Sequence, residues 1–159
     1  MNRNTWVIFR TIVWIGLVAG SLDITENLVF DQFRGITPWR VFQYIASGLI
    51  GPQAFQRGWA SVAVGIALHY AIALIWTGIF YAVACKSATV RRRPVLSGLL
   101  YGGIVYLVMN FIVVPLSGVP QPQRPLTLVS RINAAVALLV CIGLTMSLLM
   151  RRTLFQGRN

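Results

Sequence analysis

Long apolar stretches separated by short polar segments dominate this sequence. Three of them, residues 59–84, 95–116 and 132–150, contain no fixed charge. A bilayer core about 30 Å thick is crossed by about 20 apolar residues in a helix, and each stretch meets that length. The pattern therefore predicts three membrane-spanning helices in these stretches.

The first apolar stretch is interrupted by charge. Arg10 and Asp23 leave only residues 11–22 uncharged between them, which is too short to cross a membrane. The long side chain of an arginine can reach the lipid headgroups while its helix enters the bilayer. We therefore predict a first span over residues 6–30, with Asp23 and Glu26 inside, or at the edge of, the outer half of the membrane.

Two alternatives to this first span remain open in the sequence. The helix could end near Leu22 at the membrane surface and leave the carboxylates in a solvated loop. The stretch could also be a cleaved signal peptide, because Arg3 precedes an apolar run and small residues follow near Ser21. Arg10, in the middle of the apolar run, argues against a signal peptide.

A shorter helix is predicted between the first two spans. A threonine and a proline favour a helix start at residue 38, and Gly51-Pro52 favours a stop. A helix over residues 38–50 is about 20 Å long at the usual rise per residue, too short to cross. Its apolar side chains, Trp39 and Leu49 among them, fall near one face. We expect it to lie on the outer membrane surface or to enter as a re-entrant element.

The composition agrees with a membrane protein. Hydrophobic residues make up 57% of the 159 residues and charged residues 11%, against roughly 25% charged residues in soluble domains. The net charge of +11 does not indicate nucleic-acid binding, because the basic residues sit at the ends of apolar stretches and form no stripe with aromatic residues. The predicted fold class is an all-α membrane protein, one domain with four transmembrane helices.

The distribution of basic residues predicts the orientation. With four spans, nine of the 14 Lys and Arg residues lie on the side that holds both termini. Four of them cluster in the short segment between the second and third spans: Lys86, Arg91, Arg92 and Arg93. Cytoplasmic segments are enriched in Lys and Arg, so we predict a bacterial inner (plasma) membrane protein with both termini in the cytoplasm. The cluster would determine topology and meet anionic lipid headgroups.

No catalytic or metal-binding motif is present in the sequence. There is one histidine, His69, and the two cysteines lack metal-ligand spacing. Cys85 and Cys141 are predicted at different depths, so we expect free thiols and no disulfide. The sequence therefore predicts a protein that is not an enzyme and that uses no cofactor and no metal.

Glycines spaced by four residues predict where helices pack closely. Gly16 and Gly20 share a face of the first span, Gly98 and Gly102 share a face of the third, and Gly65 lies in a small-residue stripe of the second. Such faces let helix backbones approach each other. The first and third spans also resemble each other around these glycines, which indicates a parallel two-plus-two repeat. Chance similarity between apolar helices is the alternative.

The few polar residues of the spans predict a candidate site. All three acidic residues fall within positions 23–31, and Asp23 lies at nearly the same depth as His69. Ionisable residues inside a membrane indicate function by default, although hydrogen bonding between helices is a sufficient structural role. We predict a polar cluster in the outer half of the bundle, formed by Asp23, Glu26, Asn27, His69, Tyr106, Asn110, Arg131 and Asn133.

Half of the chain resembles a known group of proteins. The segments IASGLIGPQAF, ALHYAIALIWTGIFYAVA, RRPVLSGLLYGG and MNFIVVPLSGVP are similar to small bacterial inner-membrane proteins that are distantly YagU-like. The resemblance rests on small, aromatic and proline positions. It implies an all-helical inner-membrane protein from a group whose members generally lack an assigned activity.

Two functional hypotheses follow from the sequence. The first is a non-enzymatic accessory or structural component, embedded in the lipid bilayer, that packs into a homo-oligomer or a larger membrane complex through its glycine faces. The second is a small proton- or cation-linked transporter or channel that uses the polar cluster. The first accounts for the small size, and the second accounts for the concentration of acidic residues.

Overall fold

The computed structural model describes residues 3–120 and 127–155 of the chain. The protein is 90% helical, and the described residues contain no strand. Six helices follow one another in the described residues: α1 (Arg3–Phe33), α2 (Pro38–Ile50), α3 (Trp59–Lys86), α4 (Ala88–Arg92), α5 (Pro94–Leu116) and α6 (Leu128–Thr153). In α5 and α6 the helix widens into π-type turns, at Met109–Val113 and Leu138–Leu144.

Four of these helices are long and apolar enough to cross a membrane. They comprise Thr5–Phe33 of α1 and the whole of α3, α5 and α6. Large apolar side chains, such as Phe111 and Leu116, are exposed on the outside of the bundle. Lipid is as apolar as these side chains, so their exposure is expected for spanning helices. The predicted fold class is confirmed, and the four apolar helices indicate a multi-pass membrane protein.

Helix α1 runs without a break past the acidic residues. It ends at Phe33, where Gly35 takes a left-handed conformation with φ of 76°, a geometry that glycine adopts without strain. Asp23 and Glu26 are therefore helical, and the alternative of a helix ending near Leu22 with the carboxylates in a loop is wrong. No proline or glycine follows position 20 before Gly35, so nothing in the sequence stops the helix earlier.

Helix α2 has the predicted bounds, but its start is not capped as expected. The Thr37 side chain makes no capping hydrogen bond, although its backbone carbonyl accepts from Arg40 N–H at 2.9 Å. At the other end Gly51 has a φ of 68° and opens a 3₁₀ turn over Gly51–Phe55. The proline at the first helical position and the glycine stop are therefore confirmed.

The buried face of α2 is mixed. Val41 and Ala46 are buried together with the polar residues Gln43 and Ser47. The Ser47 hydroxyl donates to the Tyr44 carbonyl at 2.6 Å, a hydrogen bond made within the helix. Trp39 and Leu49 are 49% and 69% exposed, as expected of apolar side chains on a helix that contacts lipid.

The glycines of α1 and α3 lie where helices meet. A methyl group added at Gly16 would lie 3.0 Å from the Thr77 hydroxyl, and one added at Gly20 would lie 3.0 Å from Ala73. Nearer the start of α3, Gly65 contacts the backbone carbonyl of Phe42 in α2. These glycines hold α3 between α1 and α2, as expected for small residues at helix contacts.

A close backbone-to-backbone contact also joins α5 and α6. A methyl group at Gly102 would lie 2.5 Å from the Leu138 carbonyl oxygen, and Gly98 faces the backbone of Gly143. Nearby, the buried hydroxyl of Ser147 donates to the Pro94 carbonyl at 2.7 Å. The glycine pair of α5 thus packs on α6 as the glycine pair of α1 packs on α3, which is the contact that a two-plus-two repeat predicts.

Large side chains fill the space between α3 and α5. The Tyr101 hydroxyl donates to the Trp76 carbonyl at 2.6 Å, and the Tyr101 and Phe80 rings are 4.9 Å apart. Ile15 and Met146, both fully buried, continue this core between α1 and α6. The core is apolar and lies toward the α4 side of the bundle, which leaves the polar residues near α2.

Basic residues gather at the end of the bundle that carries α4, called here the α4 end. Arg91 donates to the Ala84 and Cys85 carbonyls at 2.7 and 3.1 Å, which satisfies carbonyls at the end of α3. Lys86, Arg92 and Arg93 are exposed. The opposite end, the α2 end, is closed where a backbone amide after α5 donates to a carbonyl of α2 at 2.9 Å.

Candidate functional site

A cavity of about 270 Å³ lies in the half of the bundle nearer the α2 end. Its walls come from α1, α2, α3, α5 and α6, and most of the lining side chains are aliphatic. The polar residues of the wall are Asp23, Asn27 and Asp31 from α1, Tyr44 from α2 and His69 from α3. Three of the eight residues of the predicted polar cluster, Asp23, Asn27 and His69, are thus brought together here.

Helix α1 supplies the acidic side of the cavity. Asp23, Asn27 and Asp31 are spaced by four residues and therefore share one helix face. The Asn27 side-chain amide donates to the Asp23 backbone carbonyl at 2.9 Å. Asp31 forms an ion pair with Arg34 at 3.0 Å, so its charge is compensated within the helix end.

The carboxylate of Asp23 is buried and incompletely paired. The residue is 8% exposed, and its Oδ1 atom has no hydrogen-bond partner. Arg34–Asp31 is the ion pair found among the described residues, so no basic side chain there neutralises Asp23. Burying an uncompensated charge costs on the order of several kcal/mol. A proton or a cation bound beside Asp23 would remove that cost.

His69 connects α3 to α1. Its Nε2 atom lies 2.8 Å from the Gly20 carbonyl oxygen, and because a carbonyl only accepts, Nε2–H is the donor. The ring also meets the Tyr70 ring edge-on at 5.3 Å. His69 and Asp23 therefore line one cavity, but Nε2 of His69 is committed to the backbone and not to the carboxylate.

Glu26 lies outside the cavity, on the neighbouring side of α1. It lines an open groove of about 790 Å³ with apolar residues of α1, among them Trp14 and Phe30, and with Cys141 of α6. Its Oε2 atom is buried without a hydrogen-bond partner. Residues three apart on a helix differ by about 60° in direction, which is enough to separate Glu26 from Asp23 here.

The other four residues of the predicted cluster are not on the cavity wall. On α5 the wall is formed by Val105 and Met109. Their chain neighbours Tyr106 and Asn110 point about 100° away around the helix. The Asn110 amide instead donates to the Tyr106 carbonyl at 3.0 Å.

The two predicted cluster residues of α6, Arg131 and Asn133, are also absent from the cavity wall. The wall residues of α6 are Ala134, Leu138 and Ile142. Asn133 is again offset by one residue from this face, and Arg131 is exposed. The eight residues therefore do not form one cluster. They lie at similar depths along their helices, but the rotation of each helix about its axis decides which side chains meet.

Three polar or aromatic residues of the cavity wall, Asp31, Tyr44 and Trp76, were missing from the predicted cluster. Asp31 continues the four-residue spacing from Asp23, a signal that the sequence already contained. Tyr44 and Trp76 depend on how α2 and α3 pack, which the sequence does not reveal. Burial and, to a lesser extent, the negative charge of Asp31 raise the pKa of Tyr44 above its ordinary value, so its hydroxyl stays neutral at physiological pH.

The described residues contain no group of three or more His, Cys, Asp and Glu side chains that could hold a metal ion. Asp23, Asp31 and His69 share a cavity without converging on one point. Cys85 and Cys141 are free thiols. Comparison of the chain with protein-family models, with curated proteins and with solved structures found no match. The resemblance to small YagU-like inner-membrane proteins therefore stays a prediction.

Proposed function

We propose that this protein is a small proton- or cation-linked transporter of the bacterial inner membrane, and that it is not an enzyme. The observation that carries the proposal is the buried, unpaired Oδ1 atom of Asp23 on the wall of a cavity. A carboxylate in that position is stable when a proton or a cation compensates it, and exchange of the two is the elementary step of coupled transport.

The exposed basic residues support an orientation of the proposed transporter in the membrane. The exposed basic residues at the α4 end, Lys86, Arg92 and Arg93, favour the cytoplasmic side. Both termini would then be cytoplasmic, and the cavity would lie in the outer half of the membrane, nearer the α2 end. The same residues would contact anionic headgroups of the bilayer.

Several titratable groups lie near Asp23 and influence its charge electrostatically, but in this proposal Asp23 alone exchanges the transported proton. The α5 part of the wall, Val105 and Met109, contributes no titratable group. The Cys141 thiol of α6 interacts electrostatically with both Asp23 and Glu26. Among the described residues the nearby groups are Glu26 and Asp31 from α1, Tyr44 from α2, His69 from α3 and Cys141 from α6.

The accessory role in an oligomer or a larger complex stays the second proposal. It was based on glycine faces available for docking, but in the structure Gly16 and Gly20 pack on α3, while Gly98 and Gly102 pack on α6. These faces are occupied inside the chain. The geometry therefore favours the transport proposal.

The proposal is tested by proton movement in liposomes that contain the purified full-length protein. A gradient of sodium, potassium or tetraethylammonium ions is applied, and the internal pH is followed with a trapped dye. We expect a cation gradient to move protons through the wild type and not through Asp23→Asn. Glu26→Gln is the matched control, since it removes a carboxylate of the same helix that faces the groove and not the cavity; it should retain flux.

Two results would contradict the transport proposal. One is a wild type no more active than protein-free liposomes with any of the three cations, and the other is unchanged flux in Asp23→Asn. Thermal unfolding of each variant in detergent shows whether lost flux reflects lost folding. Native mass spectrometry of the protein extracted from its own membranes tests the accessory role, because a stoichiometric foreign subunit would support it.

A further inference from the structure

The residues of the cavity wall restrict which ligand could bind beside Asp23. The inference about this ligand rests on the proposed function. Asp23 and Asp31 line the cavity, and neither lysine nor arginine does so among the described residues; because Asp31 is paired with Arg34, Asp23 is the carboxylate left without a counter-charge. In a chain with a net charge of +11, this is a locally acidic site. Its ligand is therefore expected to carry positive charge.

An inorganic cation fits the wall poorly. Hard cations such as Ca²⁺ and Mg²⁺ require about six or more oxygen ligands. Most of this wall is instead aliphatic, including Ile24, Ile45 and Ile72. The carboxylates and His69 do not converge into a group that could hold a metal ion. A volume of about 270 Å³ is also far larger than one water, whose share of the liquid is about 30 Å³.

Aromatic side chains are a second feature of the cavity wall that bears on its ligand. Trp76 of α3 and Tyr44 of α2 line the same cavity as the acidic residues of α1. Trp76 is held in place because its carbonyl accepts the Tyr101 hydroxyl at 2.6 Å and the two rings meet edge-on at 6.0 Å. Aromatic faces together with a carboxylate are the groups by which proteins recognise quaternary ammonium ions.

We infer that the cavity binds a small soluble organic ammonium ion with an apolar body, for which Asp23 is the counter-charge and Trp76 and Tyr44 provide aromatic contacts. Aliphatic walls accommodate the apolar body of such an ion at no desolvation cost to themselves. Binding of the ion replaces the proton of Asp23, so the ion and the proton compete for one carboxylate. No covalent step is involved.

The test is a titration of the purified full-length protein in detergent with tetraethylammonium, in weakly buffered solution so that released protons are measured along with binding. We expect the wild type to bind the ion and to release protons, and Asp23→Asn to do neither. Trp76→Leu should weaken binding by about two- to thirtyfold, the range of a cation–π contact, and Trp76→Phe should recover most of it. Trp14→Leu is the control, because Trp14 faces the groove; it should bind as the wild type does.

The outcomes separate this inference from the proposed function. If sodium or potassium releases protons and tetraethylammonium does not, the ammonium inference fails and cation-linked transport survives. If no cation releases protons, both fail. Tetraethylammonium binding that is equal in the wild type and Asp23→Asn would be partition into the micelle and would also overturn the inference. If Asp23→Asn does not fold, comparison of the tetraethylammonium affinities of Trp76→Leu and Trp76→Phe still tests the aromatic contact.

A lipid headgroup is the other source of a quaternary ammonium. The titration is therefore repeated in nanodiscs of phosphatidylglycerol and of phosphatidylcholine. Equal affinity for tetraethylammonium in both supports a soluble ion. An affinity that falls at least about tenfold in phosphatidylcholine would show that the headgroup occupies the cavity, and would overturn the proposal of a soluble ligand.

Discussion

The contact between α5 and α6 allows a quantitative prediction from two adjacent glycines. In Gly102→Ala the added methyl carbon would lie 2.5 Å from the Leu138 carbonyl oxygen and 2.6 Å from the Leu139 Cα, whereas ordinary contacts begin at 3.4 Å. The two helices must therefore separate by roughly 1 Å, the difference between these distances. Overpacking of this kind typically costs about 1–3 kcal/mol.

The neighbouring residue provides the control. A methyl group at Gly103 would meet no atom within 4 Å, and it sits one position further along the same helix. Alanine is favoured over glycine inside a helix by up to about 1 kcal/mol. Gly103→Ala is therefore expected to be neutral or slightly stabilising. Because this helix preference applies at both positions, the two variants should differ by the overpacking cost of about 1–3 kcal/mol, roughly a five- to 160-fold difference in the folding equilibrium constant.

The assay is unfolding of the purified protein from mild detergent micelles by titration with sodium dodecyl sulfate, followed by circular dichroism. Gly102→Ala should unfold at a lower fraction of the denaturing detergent than the wild type, and Gly103→Ala at an equal or higher one. Equal midpoints for the two alanine variants would refute the reasoning, because they would show that the α5–α6 contact is not close enough to exclude a methyl group.

Two further predictions concern polar contacts. Ser147→Ala removes the buried hydrogen bond to the Pro94 carbonyl and should destabilise the protein by about 0.6–2 kcal/mol, measured by the same unfolding titration; an unchanged midpoint would contradict it. Asp31→Asn removes a negative charge that disfavours the tyrosinate form of Tyr44, so the pKa of Tyr44 should fall while burial keeps it above its ordinary value. The change is read from tyrosinate absorbance in alkaline titration relative to Tyr44→Phe, and a rise in this pKa would contradict the sign of the interaction.

The fold was predictable because few structures cross a bilayer. Every backbone polar group of a span must be paired, so an uncharged stretch of sufficient length predicts a helix directly. The glycine faces were also predictable, and they are found at helix contacts. Gly143, which faces Gly98, was missed although Ser147 follows it at the four-residue spacing that marks a small-residue face. A single glycine followed by a serine is a weaker signal than the glycine pairs of α1 and α5.

The candidate site was predictable only in part. Sequence places Asp23 and His69 at similar depth, and both line the cavity. Depth along a helix follows from counting residues, but direction depends on how each helix is rotated against its neighbours, which packing decides. This is why Glu26 faces the groove and Asn110 bonds within its own helix, although their depths matched.

The internal use of the glycine faces changes what an assembly would require. A partner helix that docked on Gly16 and Gly20 would have to displace α3, and one that docked on Gly98 and Gly102 would have to displace α6. Either exchange would also open the cavity, since both displaced helices form its walls. An accessory role through these faces and a transport role through the cavity are therefore physically exclusive. A stable complex that leaves ammonium binding intact must use a surface other than the glycine faces.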